Sequence, residues 1–318
     1  MSLQDETTPR QLSFFNDERE VQRAPEVEPD PVTAQSLLST ARTWFRQYLI
    51  DENRPHNTIE SYVYDLVVLE HRLTDKPIHR INETDIALYL GDASSKTTRK
   101  RRLTSVKAFF RYLTEDLKIL KADPTEHFSP HPLEHKRPEI LTPPEQEAII
   151  GAALSDEAWS APAIWLMMRL GLGRTELLAL KRDHIDRTAD PGPEVLIAYD
   201  APGKHAKQRT LIADETFAEI YSAYLELKQP ESVLFPYGPQ AVNGMVDRVS
   251  KNAGIKRRVT PQLLRQTAAV EMARMGRTVN QMLHLLGMAN DARNRETIRI
   301  YITMAEELGM IEPEEHES

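Results

Sequence analysis

Cysteine is absent from this chain of 318 residues, which excludes disulfide bonds and thiolate metal sites and permits a reducing compartment. The sequence also lacks any run of about 18 apolar residues, the length that a transmembrane helix needs. The N-terminal segment MSLQDETTPR has neither the basic nor the apolar region of a signal peptide. These absences lead us to expect a soluble cytoplasmic protein with no membrane partner.

An excess of basic residues is also lacking, because the formal net charge is −8. The acids are concentrated at the two ends. Residues 1–33 carry a net −5 and residues 305–318 a net −6, which leaves +3 between them. Net charge is a poor guide when the acids lie in terminal segments. A polyanionic partner such as nucleic acid is therefore not excluded.

Helical periodicity fills most of the first half of the chain. Residues 1–33 are rich in acids and have no sustained apolar period, so we expect a disordered arm. Four helical patterns follow within about 90 residues, the second with Asn57 as its N-cap, and together they predict a small helical bundle.

A connector rich in proline separates this bundle from a second domain. Residues 122–145 contain six prolines, which restrict the backbone and remove hydrogen-bond donors, so we expect an extended segment. In the second domain, residues 194–214 hold two β-rich segments around a turn with Pro202 and Gly203, which predicts a hairpin. The predicted fold is mainly α, with these bounds: an acidic arm (1–33), a four-helix domain (34–128), a linker (129–141), a mixed, mostly helical domain with a small sheet (142–305) and an acidic tail (306–318).

One segment has the local charge density that binds a polyanion. Residues 94–111 contain seven cations and no acid. The alternative is a solvated helix face, and Phe109 and Phe110 are more typical of a core than of base stacking. Arg111 is the last of the seven cations, and we predict DNA binding by the other six: Lys96, Arg99, Lys100, Arg101, Arg102 and Lys107.

The order of three motifs near the C-terminus resembles the catalytic half of the tyrosine recombinase, or phage integrase, family. The motifs are VTPQLLRQTAA (259–269), NQMLHLLGM (280–288) and TIRIY, which ends at Tyr301. The first half contains N-T-I-x-x-Y-x-x-D (57–65), which is similar to the SAM-like core-binding domain of that family. The resemblance covers roughly residues 34–305 and implies a core-binding domain followed by a catalytic domain.

The resemblance implies that a tyrosine attacks a DNA phosphodiester, forms a 3′-phosphotyrosyl link and frees a 5′-hydroxyl. The transition state is anionic, so this chemistry needs two arginine clamps, further donors and a general acid. Tyr301 matches the nucleophile and Arg265 the second clamp arginine. In GKHAKQR, Lys204 matches the lysine that protonates the leaving hydroxyl, with Lys207 and Arg209 as accessory phosphate contacts.

Three positions depart from the family pattern. Where the family reads G-L-R-x-S-E-L, alignment on Glu176 places Gly173 at the first clamp arginine and Arg174 one residue later. Gln262 replaces a histidine, and it donates a hydrogen bond but cannot exchange a proton near neutral pH. Met288 offers no donor and is typical of a core position.

These departures leave three functions open: an impaired relative that binds DNA, an active recombinase that uses Tyr301, and a helical scaffold that retains the fold. In the third case Tyr301 only anchors the last helix. The expected partners are double-stranded DNA, enclosed between the two domains, and further protomers or related recombinase subunits. We expect the acidic tail to dock on a partner or to shield the DNA-binding face. No cofactor is expected, and no metal, because His131 and His135 lie among prolines without a third ligand.

Overall fold

The computed structural model describes residues 31–130, 137–199 and 207–309. The chain divides into two units between residues 135 and 136. Helices dominate the described residues of both units, and one small sheet lies in the second. The mainly α fold predicted from the sequence is therefore confirmed.

Between residues 31 and 130 the first unit contains four α-helices, as the sequence predicts. Asn82 begins the third, because its side chain accepts the N–H of Asp85 at 3.1 Å while the Asp85 carboxylate accepts the N–H of Asn82 at 2.9 Å. Ser95 caps the fourth by accepting the N–H of Thr98 at 3.1 Å. The helices are α1 (Leu38–Asp51), α2 (His56–Leu73), α3 (Glu83–Gly91) and α4 (Lys96–Arg111), with a π-helical turn after α4 (Tyr112–Asp116).

The start of α2 differs from the prediction. Asn57 lies inside the helix, and Pro55 occupies the N-cap position. The carbonyl of Pro55 accepts the N–H groups of Thr58 at 2.8 Å and Ile59 at 3.1 Å. Proline carries a fixed φ close to the helical value, so it begins the helix without a side-chain cap.

The core of the first unit is aromatic and aliphatic. Phe45, Leu66, Phe109 and Phe110 are all fully buried. Phe109 packs edge-on against Phe45 with 5.4 Å between ring centroids. The expectation that the two phenylalanines of α4 belong to the core is confirmed, and α4 is thereby fixed with its opposite face outward.

Eight α-helices and the sheet build the described residues of the second unit. The second of these helices, SAPAIWLMMR, is central, because its first nine residues are buried. The helices are α5 (Pro143–Leu154), α6 (Ser160–Arg169), α7 (Arg174–Ala179), α8 (Glu215–Lys228), α9 (Pro239–Asn252), α10 (Pro261–Arg274), α11 (Val279–Leu285) and α12 (Ala292–Leu308).

The sheet has three antiparallel strands in the order β1 (Ile185–Asp186), β2 (Glu194–Ile197) and β3 (Arg209–Ile212). Val195 of β2 lies opposite Leu211 of β3, and both are buried against the core. The hairpin predicted over 194–214 is confirmed in its strands. Its turn lies outside the described residues.

Two predicted boundaries shift. Leu141, placed in the linker, is fully buried in the second unit and donates its N–H to Oγ1 of Thr267 at 3.0 Å. The last helix continues to Leu308, so residues 306–308 of the predicted tail are helical. Leu141 continues the apolar packing of the second unit, whereas residues 306–308 are exposed and only extend the helix. The predicted arm up to residue 30 and the tail from residue 310 lie outside the described residues, as do His131 and His135.

Among the described helices, none has both the length and the apolar composition that crossing a membrane requires.

Candidate functional site

Arg265 projects from a helix whose start and buried face are set locally. Thr260 caps α10 by accepting the N–H of Leu263 at 3.1 Å, and Pro261 occupies the first turn. The apolar face predicted from the sequence is buried. This packing fixes the rotation of α10 and turns Arg265 towards α7. The buried face consists of Leu263, Leu264, Ala268 and Ala269.

The guanidinium of Arg265 is held by three acceptors. Nη1 donates to the carbonyl of Gly171 at 2.9 Å and to Oε2 of Glu176 at 2.8 Å, and Nη2 donates to the carbonyl of Leu286. The side chain is 19% exposed, so part of it still reaches solvent. A cation oriented in this way is suited to bind an anion at its open side.

Glu176 is the centre of the network. Its Oε2 also accepts the N–H of Gly173 at 2.7 Å, and its Oε1 accepts from Nη1 of Arg209 at 2.8 Å and from the hydroxyl of Tyr199 at 2.5 Å. Burial by itself raises the pKa of Glu176. The hydrogen bonds and charges of Arg209 and Arg265 outweigh burial and lower the pKa to about 2. The carboxylate is therefore ionised and balances two cations.

The environment of Arg209 differs from the prediction. We expected an accessory phosphate contact, but the side chain is fully buried. Its Nε donates to the carbonyl of Leu285 at 2.8 Å, and Nη1 donates to Glu176. Gly287 (φ +59°) leaves the space that this guanidinium occupies, because a Cβ there would overlap Nη1. Arg209 thus supports Glu176 from within the core.

At the position where the family pattern has its first clamp arginine, this chain has Gly173, which contributes only backbone atoms. Gly173 precedes α7, and a Cβ on it would lie 3.1 Å from Nη1 of Arg265. Arg174, the next residue, is exposed and donates from Nη1 to Oδ1 of Asn243 at 3.0 Å. Gln262, in the first turn of α10, is exposed as well.

A cleft of about 780 Å³ brings these groups together. It lies between the start of α7, one face of α9 and the start of α10. Because the start of a helix carries partial positive charge, α10 adds to the positive potential of the arginines. The described lining residues are Gly173, Arg174, Thr175, Asn243, Gly244, Asp247, Arg258, Val259, Thr260, Pro261, Gln262 and Arg265.

Tyr301 is close to this network but enclosed. It is 6% exposed and belongs to a buried cluster with Ala269 and Val270 of α10. Burial raises the pKa of Tyr301, while the charge of Arg265 and a hydrogen bond with Gln266 act in the opposite direction. Tyr301 is not among the described residues that line the cleft.

Met288, Lys207 and Lys204 are the remaining residues of the sequence motifs. Met288 packs against the cluster that contains Tyr301, so it has the core position expected for it. Lys207 is partly exposed, two residues before β3. Lys204 lies outside the described residues.

The basic helix α4 contains two kinds of cation. Arg101 forms an ion pair with the buried Asp65 of α2 at 2.7 Å, and Arg102 donates to the carbonyl of Tyr89 at 3.0 Å with its guanidinium 4.9 Å from the centroid of that ring. Asp65 also accepts from the hydroxyl of Ser105 at 2.7 Å. Arg101 and Arg102 thus hold α4 against its neighbours.

The other cations of α4 face outward. Lys96, Lys100, Lys107 and Arg111 lie within roughly 60° of one another around the helix, from its period of 3.6 residues. Lys96, Lys100 and Arg111 are exposed, and Lys107 is partly exposed. The ion pairs among residues 31–130 do not involve these four or Arg99. Lys96, Lys100, Lys107 and Arg111 form a cationic stripe that runs the length of the helix.

Sequence reasoning missed Asn243 and Arg258, which line the cleft. Asn243 is 69 residues from Arg174, and no spacing in the sequence connects them. The central role of Glu176 was also missed. Its signal was present, because Glu176 is part of the G-L-R-x-S-E-L pattern.

Comparisons with known proteins agree with this fold and these motifs. Residues 41–116 match the family model for the phage integrase N-terminal SAM-like domain, and residues 139–307 match the phage integrase family model. A tyrosine recombinase of Thermosipho africanus is 28% identical over 287 residues, 83% of this chain and 94% of that protein. Tyrosine recombinase XerC of Myxococcus xanthus is 27% identical over 281 residues, 79% of this chain and 89% of that protein.

Two solved structures show the same fold. The Tn1549 transposon integrase in complex with transposon right-end DNA has a TM-score of 0.68 at 18% identity, covering 85% of this chain and 98% of that chain. A lambda integrase dimer bound to a core site has a TM-score of 0.67 at 17% identity, covering 84% of this chain and 77% of that chain.

Proposed function

Because the chain belongs to the phage integrase family of tyrosine recombinases, we propose that it binds duplex DNA, acts in DNA recombination or integration, and cleaves DNA only weakly. The observation that carries this proposal is the cleft, where Arg265, Arg174 and Gln262 converge while Gly173 contributes no side chain. Such a cleft holds the charge needed to bind a phosphate. It lacks part of what the cleavage step needs.

Each group in the cleft has a role in this proposal. Arg265 clamps a non-bridging oxygen of the phosphodiester, and Arg174 supplies a second positive charge. Gln262 donates a hydrogen bond. Tyr301 is the nucleophile: its hydroxyl loses its proton to solvent as the oxygen attacks phosphorus, the bond to the 5′ oxygen breaks, and a 3′-phosphotyrosyl link forms. By its place in the motif, Lys204 protonates the 5′ oxygen.

Three features favour weak cleavage. The cation expected at Gly173 is replaced by Arg174 from a different direction, and Gln262 cannot relay a proton. Tyr301 is buried, and its raised pKa disfavours the phenolate. Loss of one charge-stabilising group at an anionic transition state costs a few kcal/mol, about a hundredfold in rate. The nucleophile must also leave its cluster before it reaches a phosphate in the cleft.

The DNA-binding surface proposed for the first unit is the cationic stripe of α4. Phosphate contacts by Lys96, Lys100, Lys107 and Arg111 account for affinity without sequence preference. Arg99 flanks the stripe, and Lys207 adds a contact from the second unit. Lambda integrase has been solved as a tetramer on a Holliday junction. By analogy we propose that several protomers of this chain, or related subunits, assemble on DNA, with the C-terminal tail as a contact between them.

The test is a covalent trap. The binding site is first selected from genomic fragments that the protein binds. A nicked duplex with this site is incubated with the chain, and denaturing gels detect a protein–DNA adduct. We expect little or no adduct, its loss in Tyr301→Phe, and more adduct in Gly173→Arg combined with Gln262→His. Robust cleavage by the unaltered chain overturns the weak-cleavage proposal.

An active recombinase is the second candidate, because Arg174 already lines the same cleft as Arg265. In that case Arg174→Ala abolishes a strong adduct signal. A scaffold without DNA chemistry predicts a third result, which is no binding of duplex DNA even at low salt.

A further inference from the structure

Asn243 and Arg258 line the cleft but have no place in the family motifs. We propose that Asn243 is a positioning residue that holds Arg174 at the cleft, and that Arg258 is a third cation that binds the same DNA phosphate group. This assignment rests on the proposed function. It deepens that function by naming the residues that compensate for the side chain missing at Gly173.

The contact between Arg174 and Asn243 has the chemistry that this role requires. Oδ1 of Asn243 accepts from Nη1 of Arg174 at 3.0 Å, across the cleft from α7 to α9. An amide oxygen orients a guanidinium without cancelling its charge. Arg209, by contrast, is neutralised by the Glu176 carboxylate. Arg174 therefore keeps its full charge and most of its N–H donors for a ligand.

Arg258 lies on the segment between α9 and α10 and is exposed at the cleft. None of the ion pairs or side-chain hydrogen bonds among the described residues involves it. Its neighbour Arg257 differs, because Nη2 of Arg257 donates to Oε2 of Glu145 at 2.6 Å and to the carbonyl of Ile140 at 2.7 Å. Arg257 is therefore bound within the protein, whereas Arg258 faces the cleft.

The acid in the cleft does not cancel this charge. Asp247 lines the cleft, and its Oδ2 is paired with Nζ of Lys251 at 2.7 Å. Arg174, Arg258 and Arg265 therefore surround a space with a net positive potential. A phosphodiester has two non-bridging oxygens, and each of them can accept hydrogen bonds from more than one guanidinium group.

The experiment measures the salt dependence of DNA binding by the full chain. The probe is a fluorescent duplex of random sequence, about 30 base pairs long, and its dissociation constant is measured over a range of salt concentrations. Each phosphate contact contributes about 0.9 to the slope of log affinity against log salt. Because both arginines are assigned to one phosphate, we expect Arg258→Ala and Arg174→Ala each to weaken binding severalfold and to lower the slope, and the two substitutions together to lower the slope by no more than roughly one unit. Arg257→Ala removes the same charge one residue away and should leave the slope unchanged.

A double-mutant cycle tests the positioning role. Asn243→Ala should weaken binding severalfold in the unaltered chain and have no effect in Arg174→Ala, because its action passes through Arg174. Asn243→Gln, which retains an amide oxygen on a longer side chain, should restore part of the affinity.

The outcomes separate this assignment from the proposed function. If Arg258→Ala behaves like Arg257→Ala, or if Asn243→Ala keeps its effect without Arg174, the assignment is wrong while DNA binding stands. If the unaltered chain does not bind the duplex at low salt, the proposed function is overturned, and the assignment with it.

Discussion

Arg265 and Glu176 form an ion pair of 2.8 Å between side chains that are 19% and 9% exposed. The same carboxylate also balances the buried Arg209. One acid therefore holds the proposed phosphate clamp on one side and a core cation on the other. The orientation of Arg265 in the cleft depends on this pairing, and so does the stability of the second unit.

Replacing Glu176 by Gln should destabilise the second unit by about 3–5 kcal/mol, because it leaves the buried guanidinium of Arg209 and the partly buried one of Arg265 without a counter-charge. Urea unfolding measures this through the fluorescence of Trp159 and Trp165 in a Trp44→Phe background, since the third tryptophan lies in the first unit. The control is Glu157→Gln, whose exposed ion pair with Arg248 contributes under about 1 kcal/mol. Equal effects of the two substitutions would contradict the central role of Glu176.

Acid should remove the contribution of Glu176 in a defined pH window. The pKa of Glu176 is about 2 in the folded chain and 4.5 in its reference state, so the unfolded chain binds more protons between these values. The stabilisation is therefore complete above pH 4.5 and is lost as pH falls towards 2, by roughly 3 kcal/mol. Urea midpoints of the unaltered chain and Glu176→Gln, measured at several pH values, should converge over this window. A gap that stays constant down to pH 2 would refute the pairing.

Gly287→Ala should be more damaging than another substitution of the same kind. Both Gly287 (φ +59°) and Gly276 (φ +74°) have left-handed backbone, which costs alanine about 1–2 kcal/mol. A Cβ at Gly276 meets no atom within 4 Å, whereas a Cβ at Gly287 overlaps the guanidinium of Arg209. We expect an additional 1–3 kcal/mol, roughly, for Gly287→Ala. Thermal unfolding of the two variants gives the difference, and equal melting temperatures would mean that Arg209 can move aside.

Two neighbouring cations of α4 should affect different properties, one DNA binding and the other stability. Lys100→Ala should reduce the salt slope of DNA binding by roughly one unit and leave thermal stability unchanged, because Lys100 is exposed. Arg101→Ala should lower stability by about 1–3 kcal/mol, because it leaves the buried Asp65 without its cation. Circular dichroism and fluorescence anisotropy separate the two effects. If Lys100→Ala has no effect on the salt slope, the cationic stripe is not the DNA-binding surface.

The sequence by itself determined the mainly α fold, the buried faces of several helices and the family. The apolar spacing around Leu263 and Phe109 acts within a few residues, so it can be seen in the chain without the fold, whereas the one cap predicted from the sequence, Asn57, lies inside its helix. The order of the motifs also placed Arg265 on its helix. It identified Gly173 as the position where this chain departs from the family pattern. Where composition was the only guide, at Leu141 and at the end of α12, packing or helical structure extends beyond the predicted bounds.

Only the tertiary structure decided which cations are available to a ligand. Arg209 and Arg258 look alike in the sequence, as do Arg101 and Lys100, yet one of each pair is held within the protein and the other faces outward. Burial and pairing depend on residues that are distant along the chain: Arg209 meets Glu176 33 residues away and Leu285 76 residues away. A free guanidinium and a neutralised one differ by the position of one carboxylate, and no local pattern records that position.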